Sequence, residues 1–367
     1  MDTRRSRAPA RRPWPGAGLS PCRCRGHSGV SGRSRSGPGH LGEAAMSATA
    51  GPFGRTAVEG VPAWFRTAVG APFEERTVTV QGCKVHYLRW GQTDRPGIVL
   101  LHGGAAHAHW WTFIAPFLLP HYHVIAIDLS GHGDSEWREV YTVELWAEEV
   151  MAATVDAGMR GHPIVVGHSM GGVVSIVAAS VHGDRLAGAV IVDSPIRRPD
   201  PETQEGTGGR AFRNPKTYPC LSEALEHFHL VPPQPCDNPF VIDHVARNSL
   251  RRVEKGWTWK FDPRVFQRTR PRVFHEYLAG ARCRIAIFKG QFSELVTDEV
   301  AEYMSELLGR NAPFVEIPQS YHHLLLDQPL AFIAALRAIL ADWEHSLPLG
   351  GPRPGTAHRL VSGDGDG

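Results

Sequence analysis

The chain has no hydrophobic run long enough to cross a bilayer, which excludes a helical membrane span over its 367 residues. It has six cysteines and no C-x-x-C pair, so a structural zinc site of that type is excluded. Cys22 and Cys24 lie in an Arg-rich stretch, and Cys220 and Cys236, with no secretory signal ahead of them, are expected to be free thiols. Arg-Arg pairs at 4–5 and 11–12 suggest twin-arginine export, but the apolar stretch that such a signal needs is missing. The cytoplasm is the default expectation.

The net charge of +2 hides an asymmetry. Residues 1–45 carry nine Arg against Asp2 and Glu43, net +7, which leaves −5 for the remainder. A mildly acidic folded part argues against nucleic acid as a partner. Residues 1–45 are dominated by Arg, Pro, Gly and Ser, cannot bury a core, and are expected to be a disordered tail. Globular composition begins at Met46, the expected true start, and residues 346–367 read as a second disordered tail.

What is present is a series of short apolar runs separated by helical patterns. Residues 77–81 and 84–90 alternate by twos around Gly82 and predict an edge hairpin. Residues 97–101, 123–127, 163–166, 186–193 and 284–290 are apolar runs of the kind buried on both faces of a parallel sheet, the fourth ending in the carboxylate of Asp193, and 314–317 reads as the last strand. Helical spacing is expected over 141–159, 170–182, 221–228, 239–254, 273–281, 297–308 and 330–343.

The run at 163–166 leads directly into Gly167-His168-Ser169-Met170-Gly171 and then into a small-residue helix. A serine at such a turn has its hydroxyl exposed and a helix N-terminus behind it. Strand, G-x-S-x-G and helix resemble the nucleophile elbow of the α/β-hydrolase superfamily. His102-Gly103-Gly104, Asp128-Leu-Ser-Gly-His-Gly-Asp-Ser135 and a histidine seven residues before Pro329 are similar to further landmarks of that superfamily, in its order.

The resemblance implies an α/β fold: a mostly parallel eight-stranded sheet flanked by helices, with a helical cap inserted after the sixth strand. The expected domains are a first core part at 46–193, a cap or lid at 194–282 and a second core part at 283–345. It implies Ser169 as nucleophile and His322 as general base, with His323 the runner-up. The backbone N–H groups of Gly104 and Met170 are the expected oxyanion hole. Asp128 is expected to be structural. The usual acid position, three residues after Gly290, holds Ser293. This leaves Asp193, at the end of the preceding core strand, favoured over Glu294 as the triad acid.

The implied activity is hydrolysis of a small carboxylic ester or lactone through an acyl-enzyme, with no cofactor. A serine nucleophile disfavours the chemistry of dehalogenases and epoxide hydrolases, which the chain resembles elsewhere. Carbon–carbon bond hydrolysis, cofactor-free perhydrolysis and ligand reception without turnover are the alternatives. Trp257, Trp259 and Phe261 are expected to give the lid an apolar lining, and so a small-molecule substrate with an apolar acyl group. His107-x-His109 and His121-x-His123 lack a carboxylate or cysteine at ligand spacing, so no metal site is expected from them.

Overall fold

The computed structural model describes residues 60–199, 212, 215–266 and 274–346. The expected tails at 1–45 and 346–367 lie outside the described residues except for Ser346, which ends the last helix, and Met46 and most of residues 200–214 lie outside them too.

Eight strands form one sheet in the order β1-β2-β4-β3-β5-β6-β9-β10. They are β1 (Glu74–Val80), β2 (Cys83–Trp90), β3 (Pro96–Leu101), β4 (His123–Ile127), β5 (Arg160–His168), β6 (Gly188–Val192), β9 (Arg284–Gly290) and β10 (Phe314–Ile317). The first two form the expected antiparallel hairpin, and β2 also runs antiparallel to β4. All pairings from β4 through β10 are parallel. The expected eight-stranded, mostly parallel sheet is therefore present.

Continuous apolar runs become central strands because both faces are covered. Ile98 and Leu100 of β3 enter one core, with Trp111, Phe288 and Phe332, while Val99 and Leu101 enter the other, with Tyr141, Trp146 and Val177. Helices α2 (Val143–Asp156), α3 (Met170–Val181) and α6 (Phe274–Ala279) lie on the second face, beside β1, β5 and β6. Helices α1 (Ala63–Val69) and α9 (Pro329–Ser346) contribute Phe65, Phe332 and Leu336 to the first. Helix α7 (Asp298–Leu307) covers the β9 end, burying Val300 and Met304 with Ile285 and Ile287. The Thr142 and Thr297 hydroxyls cap α2 and α7 by accepting from Leu145 and Val300 N–H.

Between β6 and β9 the described residues contain α4 (Leu221–Glu226), α5 (Pro239–Asn248) and a two-stranded ribbon, β7 (Leu250–Val253) with β8 (Gly256–Trp259). The expectation of a helix through Glu254 is corrected here. The helix stops at Asn248, and Leu250-Arg-Arg-Val pairs with Gly256-Trp-Thr-Trp, whose period is two. The chain reverses at Glu254–Lys255, and Gly256, the first residue of β8, has φ +135° and sits where a Cβ would strike the Tyr218 carbonyl. Trp257 and Trp259 also depart from expectation. They pack with Tyr218, Leu221, Leu225 and Leu250 in a small cluster of their own.

The turn after β4 is braced from inside. Glu149 of α2, fully buried, accepts from the Ser130 N–H at 2.9 Å and pairs with Arg138, whose guanidinium also donates to the Ser130 hydroxyl and the Val80 carbonyl. Burial pushes the Glu149 carboxyl up from its ordinary value, and Arg138 and the Ser130 donors oppose it. Removing one partner of a buried pair leaves an uncompensated charge. Arg138→Ala is expected to destabilise the fold by about 3 kcal/mol, read as a drop in the thermal midpoint; an unchanged midpoint would show that Glu149 finds another partner.

Candidate active site

The parallel register fixes which residues meet at the carboxyl end of the sheet. His168 of β5 pairs with Val192 of β6, and Val192 with Phe288 of β9, so Ser169 and Asp193 leave neighbouring strands side by side. Ligand sites of open α/β sheets form at this end. Ser169 has φ 53° and ψ −118°, and Asp193 has φ 48°, both in the left-handed region. Such backbone costs about 1–3 kcal/mol and persists only where the surroundings impose it.

At Ser169 the surroundings are explicit. Its N–H donates to the Val192 carbonyl at 2.9 Å, and its own carbonyl accepts from the Ser194 hydroxyl at 2.7 Å. A Cβ on Gly167 would lie 2.1 Å from the Gly171 carbonyl, and one on Gly171 2.6 Å from those of Leu101 and His102. Only glycine fits either position.

His322 follows β10 on the loop that precedes α8 (Leu324–Asp327). Its Nε2 is 3.0 Å from Ser169 Oγ and its Nδ1 is 2.7 Å from Asp193 Oδ2. An ionised carboxylate can only accept, so Nδ1 carries the proton and Nε2 is left to accept from the serine hydroxyl. The imidazole is buried, and Asp193 is wholly so. The structure brings Ser169, His322 and Asp193 into one hydrogen-bonded chain. Glu294 is exposed at the surface and has no part in it. Asp128 also lies apart, accepting from His86 Nδ1 and the Ala108 and Asp134 N–H groups.

Ser293 occupies the expected acid position and reaches the chain in a way the sequence did not suggest. Its hydroxyl donates to Asp193 Oδ2 at 2.7 Å while its oxygen accepts from the Leu295 and Val296 N–H groups. Gly290 N–H holds the other oxygen, Oδ1, at 2.9 Å. The signal was the absence of an aspartate at 293; what it lacked was the cross-strand proximity to residue 193.

Gly104 and Met170 are also neighbours: a Cβ on Gly104 would stand 3.9 Å from the Met170 sulfur and 2.9 Å from the Phe266 ring. Phe266 stacks on Phe212 at 4.4 Å between centroids and meets Phe261 edge-on. Phe266, absent from the sequence-based candidates, is thus the aromatic of the inserted segment that borders the site. Trp110 stacks on His168 and meets His323 edge-on; it and Trp111 both belong to the core, Trp111 wholly buried.

The inserted segment also grips the histidine loop. Gln234 donates to both Asp327 oxygens, at 2.8 and 2.9 Å, and accepts from the His323 N–H. Asn238 donates to the Leu326 and Asp327 carbonyls. Burial pushes the Asp327 carboxyl up to about 6.

A sequence profile described as the alpha/beta hydrolase family matches residues 98–336, nearly two thirds of the chain. The chain belongs to that family. It is 28% identical over 288 residues to Esterase Rv0045c of Mycobacterium tuberculosis, covering 75% of this chain and 92% of that protein. It is 32% identical over 112 residues to Lipase LipV of the same organism, where the match covers 30% of this chain and 42% of the lipase. Among solved structures, E-2-(acetamidomethylene)succinate hydrolase superposes with a TM-score of 0.63 at 20% identity, over 73% of this chain and 99% of that one. The family and these relatives make the protein a hydrolase. No helix of the described residues is long and apolar enough to cross a membrane.

Three buried histidines, His102, His107 and His132, lie in the loops after β3 and β4. Burial pushes His102, His107 and His132 down, His132 to about 3. Below pH 6.5 the unfolded chain binds protons at these positions that the folded chain does not. Their contribution to stability is therefore complete above that value and is lost as pH falls, at His132 by up to about 1.4 kcal/mol per pH unit on the way down to about pH 3. The thermal midpoint at pH 4.5 is expected well below that at pH 7.5. Equal midpoints would mean that these rings take up protons in the native state.

Proposed function

We propose that the protein is a serine esterase that cleaves a small carboxylic ester or lactone through an acyl-enzyme. The observation that carries this reading is the hydrogen-bonded chain from Ser169 Oγ through His322 to Asp193 Oδ2. In this mechanism His322 Nε2 takes the hydroxyl proton as Ser169 Oγ attacks the ester carbonyl. The developing oxyanion rests on the N–H groups of Gly104 and Met170. The imidazolium then gives the proton to the leaving alkoxide, and the same nitrogen activates the water that frees the acid and restores Ser169. Asp193 keeps the imidazole in the right tautomer and balances its charge. The esterase and lipase relatives support ester chemistry.

In this reading residues 194–282 form a lid, and Phe212, Phe261 and Phe266 give the acyl group its apolar contact, at about 25 cal/mol per Å² buried. Trp257 and Trp259, in their separate cluster, support the lid from behind.

Ser169 is expected to react with a fluorophosphonate, and Ser169→Ala to lose that label and to hydrolyse p-nitrophenyl butyrate roughly a million-fold more slowly by analogy with other triads. Labelling elsewhere, or activity at a tenth of wild type, would exclude this nucleophile.

The acid assignment has its own comparison. Asp193→Asn is expected to lose about ten-thousand-fold in kcat, and Glu294→Gln almost nothing. Ser293→Ala removes one donor to the carboxylate, worth about 1.5–3 kcal/mol, and should cost roughly ten- to a hundred-fold. A reversed order of the first two variants would move the acid to Glu294.

A further inference from the structure

The peptide group that follows His322 is held from both sides. Its carbonyl accepts from His168 Nε2 at 3.0 Å, and its N–H, that of His323, donates to Gln234 Oε1 at 2.9 Å. His168 immediately precedes Ser169, whereas Gln234 belongs to the inserted segment, between α4 and α5. The loop is held again one residue before His322. There the Tyr321 N–H donates to Asp327 Oδ2 at 2.8 Å, and the Gln234 amide donates to both oxygens of that same carboxylate. One side chain of the insertion thus fixes the backbone on both sides of His322, directly after it and through Asp327 before it.

The sequence around Gln234 suits a stiff support. It reads Pro232-Pro233-Gln234-Pro235, in which rings lock three φ angles and the residue before each proline is biased to extended backbone. Leu230 and Val241, on either side, are buried in the same core as Leu324, Leu325 and Leu326 of α8. This apolar seating brings the arm to the loop, but it has no direction of its own and leaves the 322–323 peptide free to turn. The amide removes that freedom. His322 tolerates little of it, since Nε2 has to stay 3.0 Å from Ser169 Oγ while Nδ1 stays 2.7 Å from Asp193 Oδ2.

We propose that Gln234 is a positioning residue that makes the reach of His322 to Ser169 depend on the inserted segment being in place. Its effect on turnover rests on the esterase reading; its effect on the imidazole rests on the hydrogen bonds alone. With the segment seated, the 322–323 peptide is fixed and the ring bridges the serine and the carboxylate. With the segment displaced, the His323 N–H loses its acceptor, Asp327 loses its side-chain donor, and the ring is free to leave the serine. The general base is complete only when the segment is seated.

The test compares Gln234→Met and Gln234→Glu with the full-length wild type on p-nitrophenyl butyrate. Gln234→Met removes every one of these bonds at similar volume. It is expected to lower kcat about ten- to a hundred-fold with KM little changed, the size expected of a small misplacement of a reacting group. Gln234→Glu keeps the acceptor for the His323 N–H but sets a carboxylate against Asp327, whose own carboxyl burial pushes up to about 6. Cys236 and Asp237 of the insertion also face that carboxyl, and the loop presents the Tyr321 N–H. Two adjoining carboxyls share one proton in preference to ionising together. The clamp is therefore broken where both are charged and forms again as pH falls. The activity of Gln234→Glu relative to wild type is expected to rise about ten-fold from about pH 8.5 to about pH 6. A loss of packing alone gives a ratio that does not change with pH. Arg138→Ala controls for stability and is expected to keep kcat when assayed below its thermal midpoint. The His322 Nδ1 proton, held by Asp193, offers a readout without turnover: a far-downfield proton resonance, sharp in wild type and shifted or broadened in Gln234→Met. Wild-type kcat in folded Gln234→Met, a pH-independent Gln234→Glu ratio, an equal kcat loss in Arg138→Ala, or an unmoved resonance would each overturn the proposal. If Gln234→Met does not fold, as judged by its thermal midpoint, Gln234→Glu carries the test through its pH ratio and its resonance. If wild type neither hydrolyses the ester nor takes the fluorophosphonate, yet the resonance responds to Gln234, the positioning stands and the esterase reading falls.

Discussion

The carboxyl end of the sheet depends on where the Asp193 carboxylate finds its hydrogen bonds. One oxygen takes the Gly290 N–H, the other takes the Ser293 hydroxyl and the His322 ring. Three chain segments, the ends of β6 and β9 and the loop after β10, are thereby fastened to one buried charge. Each donor to a charged group contributes about 1.5–3 kcal/mol, enough together to hold Asp193 in left-handed backbone and to offset the cost of removing a charge from water. Gly290 is part of the same constraint, since a Cβ there would stand 2.2 Å from the Tyr321 carbonyl and push the histidine loop away.

Much of this was legible in the sequence, for reasons that differ from place to place. The central strands were readable because a strand buried on both faces has to be continuously apolar, as at 97–101 and 123–127. The elbow was readable because its glycines answer to steric limits that no other residue meets. Asp193 could be favoured from the missing aspartate at 293 together with a carboxylate at a strand end. Contacts between distant segments were not readable. A hydroxyl cannot itself orient an imidazolium, yet Ser293 steadies the carboxylate that does.

The inserted segment was read least well. Pro239–Glu254 has helical periodicity for ten residues, and the two-residue alternation that follows was absorbed into the same element. The tryptophans at 257 and 259 drew attention as large aromatics, but size does not say which way a ribbon faces. Phe266, an ordinary phenylalanine in a short turn, is the one that reaches Gly104. A single-sequence pattern identifies which residues are buried far better than what they are buried against.

The polar grip of Gln234 and Asn238 on the 323–327 loop bears on how such a protein can be remodelled. The inserted segment is not an independent module clipped onto a finished core, because one glutamine amide satisfies both the Asp327 carboxylate and the backbone beside the proposed general base. An insertion borrowed from another sequence, however well its apolar side fitted, would leave that carboxylate with the Tyr321 N–H but without its side-chain donor, and would release the histidine loop from the rest of the insertion. Grafting therefore has to carry residues 234–238 along with whatever gives the new specificity. The boundary at which the chain can be recombined lies inside the insertion, not at its ends.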